Sequence, residues 1–401
     1  MTRAPQSSIA DHRPDTTHSG TATRRRALRI MGAGATALVA APWASSAQRA
    51  EADTEILIGQ SCQLSGPLAP LTRELQEGAG WYFEQVNAKG GVHGRQVRVI
   101  ALDDVYDPKR TAENVRQLIE KNGVFALFNL AGTPTTLAAL PVLREHKVPL
   151  VAPFTGTDAL RSSFDRYVFN VRAGYADEID KIVQHLGVLG IDRVGVAYLN
   201  NSFGKGGLDA VKSAAAKRGV TLAAATPLEI DGSGLREAAQ ALARSQPPVI
   251  ILATAGKVTS DFIAAYQSSG ASAQFYALSV VSSQQLIQAL GDRSKGVAIA
   301  QVMPYPWGGG TRLAREFSDL AKRKGAEVSY NHMEGFVSAK VLVEGLQQAG
   351  PSPTRESLVR GLEGLREFDL GGYVVRFSDR NHNGSTYVEL TIVGTSKRVL
   401  R

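Results

Sequence analysis

Two short stretches could do chemistry. Gly132-Thr133-Pro134-Thr135 and Phe154-Thr155-Gly156-Thr157 each set small residues and hydroxyls between a predicted strand and a predicted helix. Free backbone N–H groups there, with threonine hydroxyls, suit a carboxylate or similar anion. A second set falls at later strand ends: Asn200-Asn201-Ser202-Phe203, Thr254-Ala255-Gly256-Lys257 and Ser279. Covalent and metal chemistry find less support. No Gly-x-Ser-x-Gly elbow occurs, and Gly204-Lys205-Gly206-Gly207 lacks the spacing and hydroxyl of a phosphate loop. The histidines are scattered without metal-ligand spacing on one helix, and are expected at the surface. Asp379-Arg380-Asn381-His382-Asn383-Gly384 copies the opening of a calcium loop. Its twelfth position is Leu390 rather than glutamate, so a plain turn is expected. The lone Cys62 has no evident base beside it and is expected to be inert in the core. These residues imply no cofactor, no metal and no acid–base or nucleophile constellation of an enzyme.

Charge narrows the partners. The 401 residues carry 45 basic and 37 acidic side chains, a formal +8. Residues 1–47 hold half of that excess, as six arginines against two aspartates, and leave +4 on the rest. In the same segment Thr23-Arg24-Arg25-Arg26 precedes an apolar run from Ile30 to Ala41 and small residues up to Ala47. That order describes an export signal of twin-arginine-like form, with Ala27 where phenylalanine is usual and cleavage expected after Ala47. The run is shorter than the roughly 20 residues of a membrane span. Gly32-Ala33-Gly34-Ala35-Thr36-Ala37 fits a dinucleotide pattern but lies inside this run, without the strand and helix that would give it meaning. The expectation is a periplasmic protein of mixed surface charge with no nucleic-acid partner.

The elements that position the loops alternate. Strands are predicted at 55–60, 96–102, 124–130 and 148–151, with helices at 74–88, 107–122 and 135–145 between them. The alternation resumes with helices at 175–189, 204–218, 234–244 and 258–269 and strands at 193–199, 220–225, 249–253, 275–278 and 296–302. Helices at 313–324, 334–348 and 353–362 and strands at 373–377 and 387–393 close the chain. This is an α/β pattern of parallel sheets covered on both faces, with too many strands for one small sheet. It predicts two doubly wound lobes, joined by short crossings because no low-complexity linker intervenes. Ligands of such sheets bind beyond the carboxyl ends of the strands, where the two loops lie.

Three segments carry a family resemblance: GQSCQLSGPLA from Gly59, NAKGGVHGRQVRVIALDDVYDPKRTAENVRQLI from Asn87, and YLNNSFGKGG from Tyr198. They resemble the type I periplasmic solute-binding proteins of ABC importers, of the leucine/isoleucine/valine-binding-protein-like family. The resemblance implies two Rossmann-like doubly wound lobes joined by three hinge crossovers. A small ligand is held between the lobes, and closure presents the complex to an inner-membrane permease. It places crossings near 172–174, 303–306 and 376–380. The N-terminal lobe would then be 52–172 and 306–376, and the C-terminal lobe 173–305 and 377–401.

The resemblance also implies the site. The carboxylate-holding loops match Gly132-Thr133 and Phe154-Thr155-Gly156. Gly132 and Gly156 stand where hydroxyls are usual, so Thr133, Thr155 or Thr157 would serve. Phe203 stands for the family's tyrosine and Phe336 for another pocket aromatic, while Leu71 and Ala255 complete the expected contacts. The family's cysteine pair matches Tyr106 and Ala131. The acidic residue that meets the α-ammonium of an amino acid falls at Ser279, which points to a small aromatic or aliphatic carboxylate without an ammonium group. Glu334 would restore amino-acid binding if it faced the cleft. The function expected is a monomeric transport receptor; a periplasmic sensor feeding a signalling partner is the alternative, and an enzyme the remote one.

Overall fold

The structure, a computed structural model, describes residues 54–401. The twin-arginine-like motif, the apolar run and the Ala47 junction lie outside the described residues. The first sheet is built from β1 (Glu55–Cys62), β2 (Gln96–Asp103), β3 (Ala126–Phe128), β4 (Leu150–Val151) and β5 (Val168–Phe169). Its order is β2-β1-β3-β4-β5, and every pairing is parallel. The run EILIGQSC of β1 is buried over most of its length, as a strand covered by helices on both faces must be. Helices α1 (Ala69–Asn87), α2 (Pro108–Glu120) and α3 (Thr133–Glu145) connect the first four strands. Asp107 caps α2 by accepting from the Arg110 N–H, with Pro108 at the first helical position.

The chain then leaves this sheet. It forms α4 (Tyr175–Val188), β6 (Arg193–Leu199), α5 (Ser202–Arg218), β7 (Thr221–Leu228), α6 (Leu235–Arg244), β8 (Val249–Ala253), α7 (Lys257–Ser268), β9 (Gln274–Ala277), α8 (Ser283–Leu290) and β10 (Ala298–Gln301). It returns through α9 (Arg312–Lys324), α10 (Tyr330–Ala349), α11 (Arg355–Glu363) and the short hairpin β11 (Phe368–Asp369) with β12 (Val374–Val375). It ends with β13 (Glu389–Val393) and β14 (Val399–Leu400) on the second sheet. That sheet runs β14-β13-β10-β9-β8-β6-β7, with β13 and β14 antiparallel. Three passages therefore join two parallel-sheet lobes. The last begins later than 376–380: Gly384 still donates its N–H to the Asn170 carbonyl at 2.7 Å, beside β5. Among the described residues no helix is long and apolar enough to cross a membrane.

Two histidines depart from their expected surface positions. His332 stacks on Trp81 with centroids 5.0 Å apart, and His382 on Phe169 at 3.8 Å; both are buried. The calcium-like segment is a turn in which Ser378 and Asn381 pair, and the Asn383 side-chain oxygen accepts from Asn170 at 2.9 Å. Cys62 is fully buried, as expected of a core residue.

Candidate functional site

The first lobe presents its loops at the carboxyl ends of β3 and β4. Beyond these strands Ala131 and Phe154 still pair as a parallel bridge, which holds the two loops side by side. The hydroxyl oxygens of Thr133 and Thr155 then meet at 2.7 Å, both buried. The Thr157 N–H donates to Thr155 Oγ1 at 3.3 Å. Arg161 fastens the second loop from behind, donating to the carbonyls of Thr157 at 2.9 Å and Thr155 at 3.1 Å. Burial, reinforced by the charge of Arg172, pulls the Arg161 pKa down to about 10.

The two glycines have a steric reason. Gly132 has φ +100, where side chains are strained, and a Cβ there would lie 2.5 Å from Tyr106 Cε2. A Cβ on Gly156 would lie 2.6 Å from Tyr175 Cδ1. Two phenol rings thus fill the space of the missing hydroxyl side chains. The Tyr175 phenol lies near the Thr155 side chain, and the Tyr106 phenol near Asn201 of the second lobe. Burial pushes both phenols above their ordinary range, so they remain neutral.

Between the lobes lies a cavity of about 30 Å³. Its walls bring together Leu71, Gly132, Thr133, Phe154, Phe203 and Ala255 from the sequence-based set, and add Gln63, Leu68, Tyr106, Ala131, Tyr175 and Val280. It has room for about two water molecules. The Phe203 ring lies 5.0 Å from that of Tyr175. Thr155 and Gly156 sit directly behind this wall, while Thr157 lines a wider outer groove of about 940 Å³. That groove carries Asp158, Asp177, Asp180 and Asp209 against Lys181 and Lys217. Its acidic balance is unsuited to a carboxylate, which leaves the smaller inner cavity as the candidate site.

Two expected residues are elsewhere. Phe336 packs in the core against Tyr82 at 5.4 Å and Phe317 at 5.5 Å, because its face of α10 lies against α1 and α9 rather than the cleft. Ser279 is buried beside the cavity and committed to a charge cluster. Its N–H donates to Glu178 Oε2 at 2.8 Å, and its hydroxyl donates to Glu178 Oε1 at 2.9 Å. Arg172 Nη2 also reaches Ser279 Oγ, and lies 3.1 Å from Glu178 Oε1. Arg172 Nη1 lies 3.3 Å from Glu334 Oε1. The guanidinium, 5.2 Å from the Phe154 ring centroid and 5.6 Å from that of Tyr175, backs onto two cavity walls. Glu334 does face inward, but toward this internal cation.

The cluster shares its charge unevenly. Burial disfavours the Arg172 charge, yet Glu334 and Glu178 outweigh it and hold the guanidinium ionised. Burial pushes Glu178 up, against the pull of Arg172 and Ser279. It pushes Glu334 up to about 7, with Glu178 adding to the rise and Arg172 opposing it. Among the described residues no group of three or more His, Cys, Asp or Glu could hold a metal ion.

A further polar contact spans the lobes at Glu74. Glu74 of α1 accepts from Ser282 Oγ at 3.2 Å and Gln285 Nε2 at 3.1 Å in the second lobe. It also accepts from Ser329 and Asn331 in the first lobe, both at 2.8 Å.

Comparison with known proteins agrees with the two-lobed fold. A family model described as periplasmic binding protein matches residues 55–397. A substrate-binding periplasmic protein from Ralstonia solanacearum is 33% identical, with a TM-score of 0.81 over 86% of this chain and 99% of its own. A possible leucine/isoleucine/valine-binding protein from Rhodopirellula baltica SH 1 is 28% identical, with a TM-score of 0.81 over 87% of this chain and 97% of its own. Leu/Ile/Val-binding protein homolog 3 of Brucella melitensis is 29% identical over 172 residues, 42% of this chain and 45% of that protein. The chain spans about half the length of the first curated relatives it matches. These relatives and this fold are those of solute-binding proteins, not enzymes.

Proposed function

The chain belongs to the periplasmic binding protein family, and we propose that it is the solute receptor of an ABC importer, closing on a small carboxylate without an α-ammonium group. The family implies an extracytoplasmic location. Export of residues 1–47 and delivery of the loaded monomer to an inner-membrane permease complete the reading. The observation that carries the ligand class is the Arg172 cluster. A ligand ammonium needs an unpaired anion or several acceptors, and leaving it unpaired in a closed cleft costs several kcal/mol. Both buried carboxylates beside the cavity, Glu178 and Glu334, already hold Arg172 between them. The remaining polar groups at the cavity are hydroxyls, phenols and amides. They can hold a carboxylate without bringing in a second charge.

In this reading Thr133 and Tyr175 hold the carboxylate, Thr155 supports Thr133 from behind the wall, and Phe154 and Phe203 wall its apolar part. Rotation about the three passages closes the second lobe over it. Calorimetric or thermal-shift screening of amino acids against benzoate-like and short aliphatic acids tests this. Acids should bind and raise the melting temperature, whereas tight binding of leucine or valine would overturn the ligand class.

A further inference from the structure

The lobes touch at Leu68, which presses on Gly256 of the second lobe, where a Cβ would lie 2.5 Å from Leu68 Cδ2. They are also joined by Glu74, which gives one oxygen to each lobe. Its Oε1 accepts from Ser282 and Gln285, and its Oε2 from Ser329 and Asn331. Behind Oε2 lies a relay. Ser329 caps α10 by accepting from the His332 N–H at 3.2 Å, and its oxygen lies 2.7 Å from His332 Nδ1. His332 Nε2 lies 3.1 Å from Glu77 Oε2. The ring is buried and stacked on Trp81, which holds both nitrogens in place. Counting hydrogens gives the state of the ring. The Ser329 hydroxyl has one hydrogen and two lone pairs. Its hydrogen goes to Glu74 Oε2 at 2.8 Å, so its lone pairs take the His332 N–H and the Nδ1–H. The Glu77 carboxylate takes a hydrogen from Nε2. All these bonds hold together only when both ring nitrogens carry hydrogen, as an imidazolium. A neutral ring serves one side alone. Either Glu77 faces a lone pair, or the Ser329 hydrogen turns to Nδ1 and Glu74 loses it.

Charge points the same way. A cavity of about 280 Å³ lies between α1, α8 and the start of α10. Glu74 and Glu77 of α1 line it with Glu327, and α8 of the second lobe covers it with neutral side chains, Gln284, Gln285 and Gln288. Gln284 also donates to the Val328 carbonyl of the first lobe. Docking of α8 thus takes water from three carboxylates and brings no cation. Among the described residues that line the cavity, only His332 can supply one. We infer that His332 is a positioning residue for lobe closure: its imidazolium, acting through Ser329 on Glu74, favours the closed lobes, and its deprotonation loosens them. The inference rests on the proposed closure and not on the class of solute. Its sign follows from linkage. The closed form binds the His332 proton more tightly than the open form. The closed fraction is therefore highest at low pH and falls as pH rises through the histidine window of about 5–8. With one hydrogen bond to a charged group at stake, the closed-to-open ratio should be about tenfold higher at pH 5.5 than at pH 8.5.

Small-angle scattering of the full chain, with no solute added, reads that ratio at the two pH values. Glu334, pushed up to about 7 by burial, adds a background slope that the variants share. His332→Gln keeps a donor and an acceptor but no charge, and should leave only that background. Glu77→Gln, at a half-exposed side chain that the fold does not need, should cut the pH response at least in half, because its amide requires no second ring proton. Nitrogen NMR of labelled histidine, with the His332 signals identified by their loss in His332→Gln, should show hydrogen on both ring nitrogens at pH 5.5. A His332 ring still neutral at pH 5.5 overturns the role of His332 and leaves closure standing. So does a radius of gyration that Glu74→Ala enlarges but pH leaves unchanged. A radius that moves with neither pH nor Glu74→Ala, nor with excess benzoate or leucine, overturns both.

Discussion

Replacing Arg172 by methionine tests the cluster on which the ligand class depends. The side chain is 1% exposed, and its partners Glu178 and Glu334 are 0% and 6% exposed. Methionine keeps much of the length but leaves two buried carboxyls without a cation. Breaking a buried pair in this way costs about 3–5 kcal/mol. The carboxyls can escape only by binding protons, which fixes the sign of the pH dependence. A carboxyl whose folded pKa lies above its unfolded value holds more protons in the native state through that window. Its contribution to stability therefore falls as pH rises, by at most about 1.4 kcal/mol per unit for each group. With Arg172 present, Glu334 already sits near 7 against an ordinary 4.5, so the wild type should lose stability between pH 5 and 7. Without Arg172 both carboxyls rise further and the slope steepens. Urea unfolding followed by circular dichroism should give Arg172→Met a deficit of about 3–5 kcal/mol at pH 7.5, reduced by at least half at pH 5. Adding Glu178→Gln and Glu334→Gln should recover most of the deficit and flatten the slope. A deficit below about 1 kcal/mol, or one independent of pH, would refute the reasoning.

Other expectations follow from the same geometry. Glu74→Ala removes the contacts to Ser282 and Gln285 that join the lobes. It should weaken acid binding about tenfold and enlarge the radius of gyration of the loaded protein in small-angle scattering. Tyr175→Phe removes one hydroxyl beside Thr155; affinity for the acid should fall about tenfold with little change in the urea midpoint, and an unchanged affinity would take Tyr175 out of the site. Gly156→Ser should destabilise the fold and abolish binding, because its Cβ meets the Tyr175 ring. Burial, with Asp104 and Asp103 nearby, pushes the Cys62 thiol up. It should resist a disulfide reagent in the native protein and react once urea unfolds it, as fast labelling of the folded chain would contradict.

Much of the fold could be read from periodicity, and the exceptions have local causes. Two-residue β5 follows β4 with only a short 3-10 turn at Asp158–Leu160 between, so the strand–helix alternation gave no hint of it. Helix α1 begins at Ala69, ahead of the expected 74, with Pro70 in its first turn, where a proline starts a helix well. Helix α8 is eight residues long with three buried positions, too short for a clear period. Around the cavity, loop composition pointed to Thr133, which lines it, and to Thr155, which lies buried behind it. It could not identify Arg172, whose partners lie 6, 107 and 162 positions away. Nor could it assign Tyr106 and Tyr175, although a glycine where a hydroxyl is usual hints that another side chain fills the gap. Phe336 shows the converse limit: its position in the chain agreed with a pocket aromatic, but the helix turns that ring into the core.

Two of the polar contacts between the lobes differ in a way that bears on the proposed closure. The Arg172 cluster draws on the first passage, on α4 just after it, on Ser279 of the second lobe and on Glu334 of the first. All its members are buried, so parting them would leave charges unpaired at several kcal/mol each. The Glu74 contact lies at the mouth, where water can replace each hydrogen bond at a net cost of about 1 kcal/mol. A rotation that opens the cleft therefore keeps Arg172 near its axis and breaks Glu74 from Ser282. Leu68 then lifts off Gly256. On the proposed function the internal salt cluster would act as pivot and charge filter together, holding the first passage while denying an ammonium its anion.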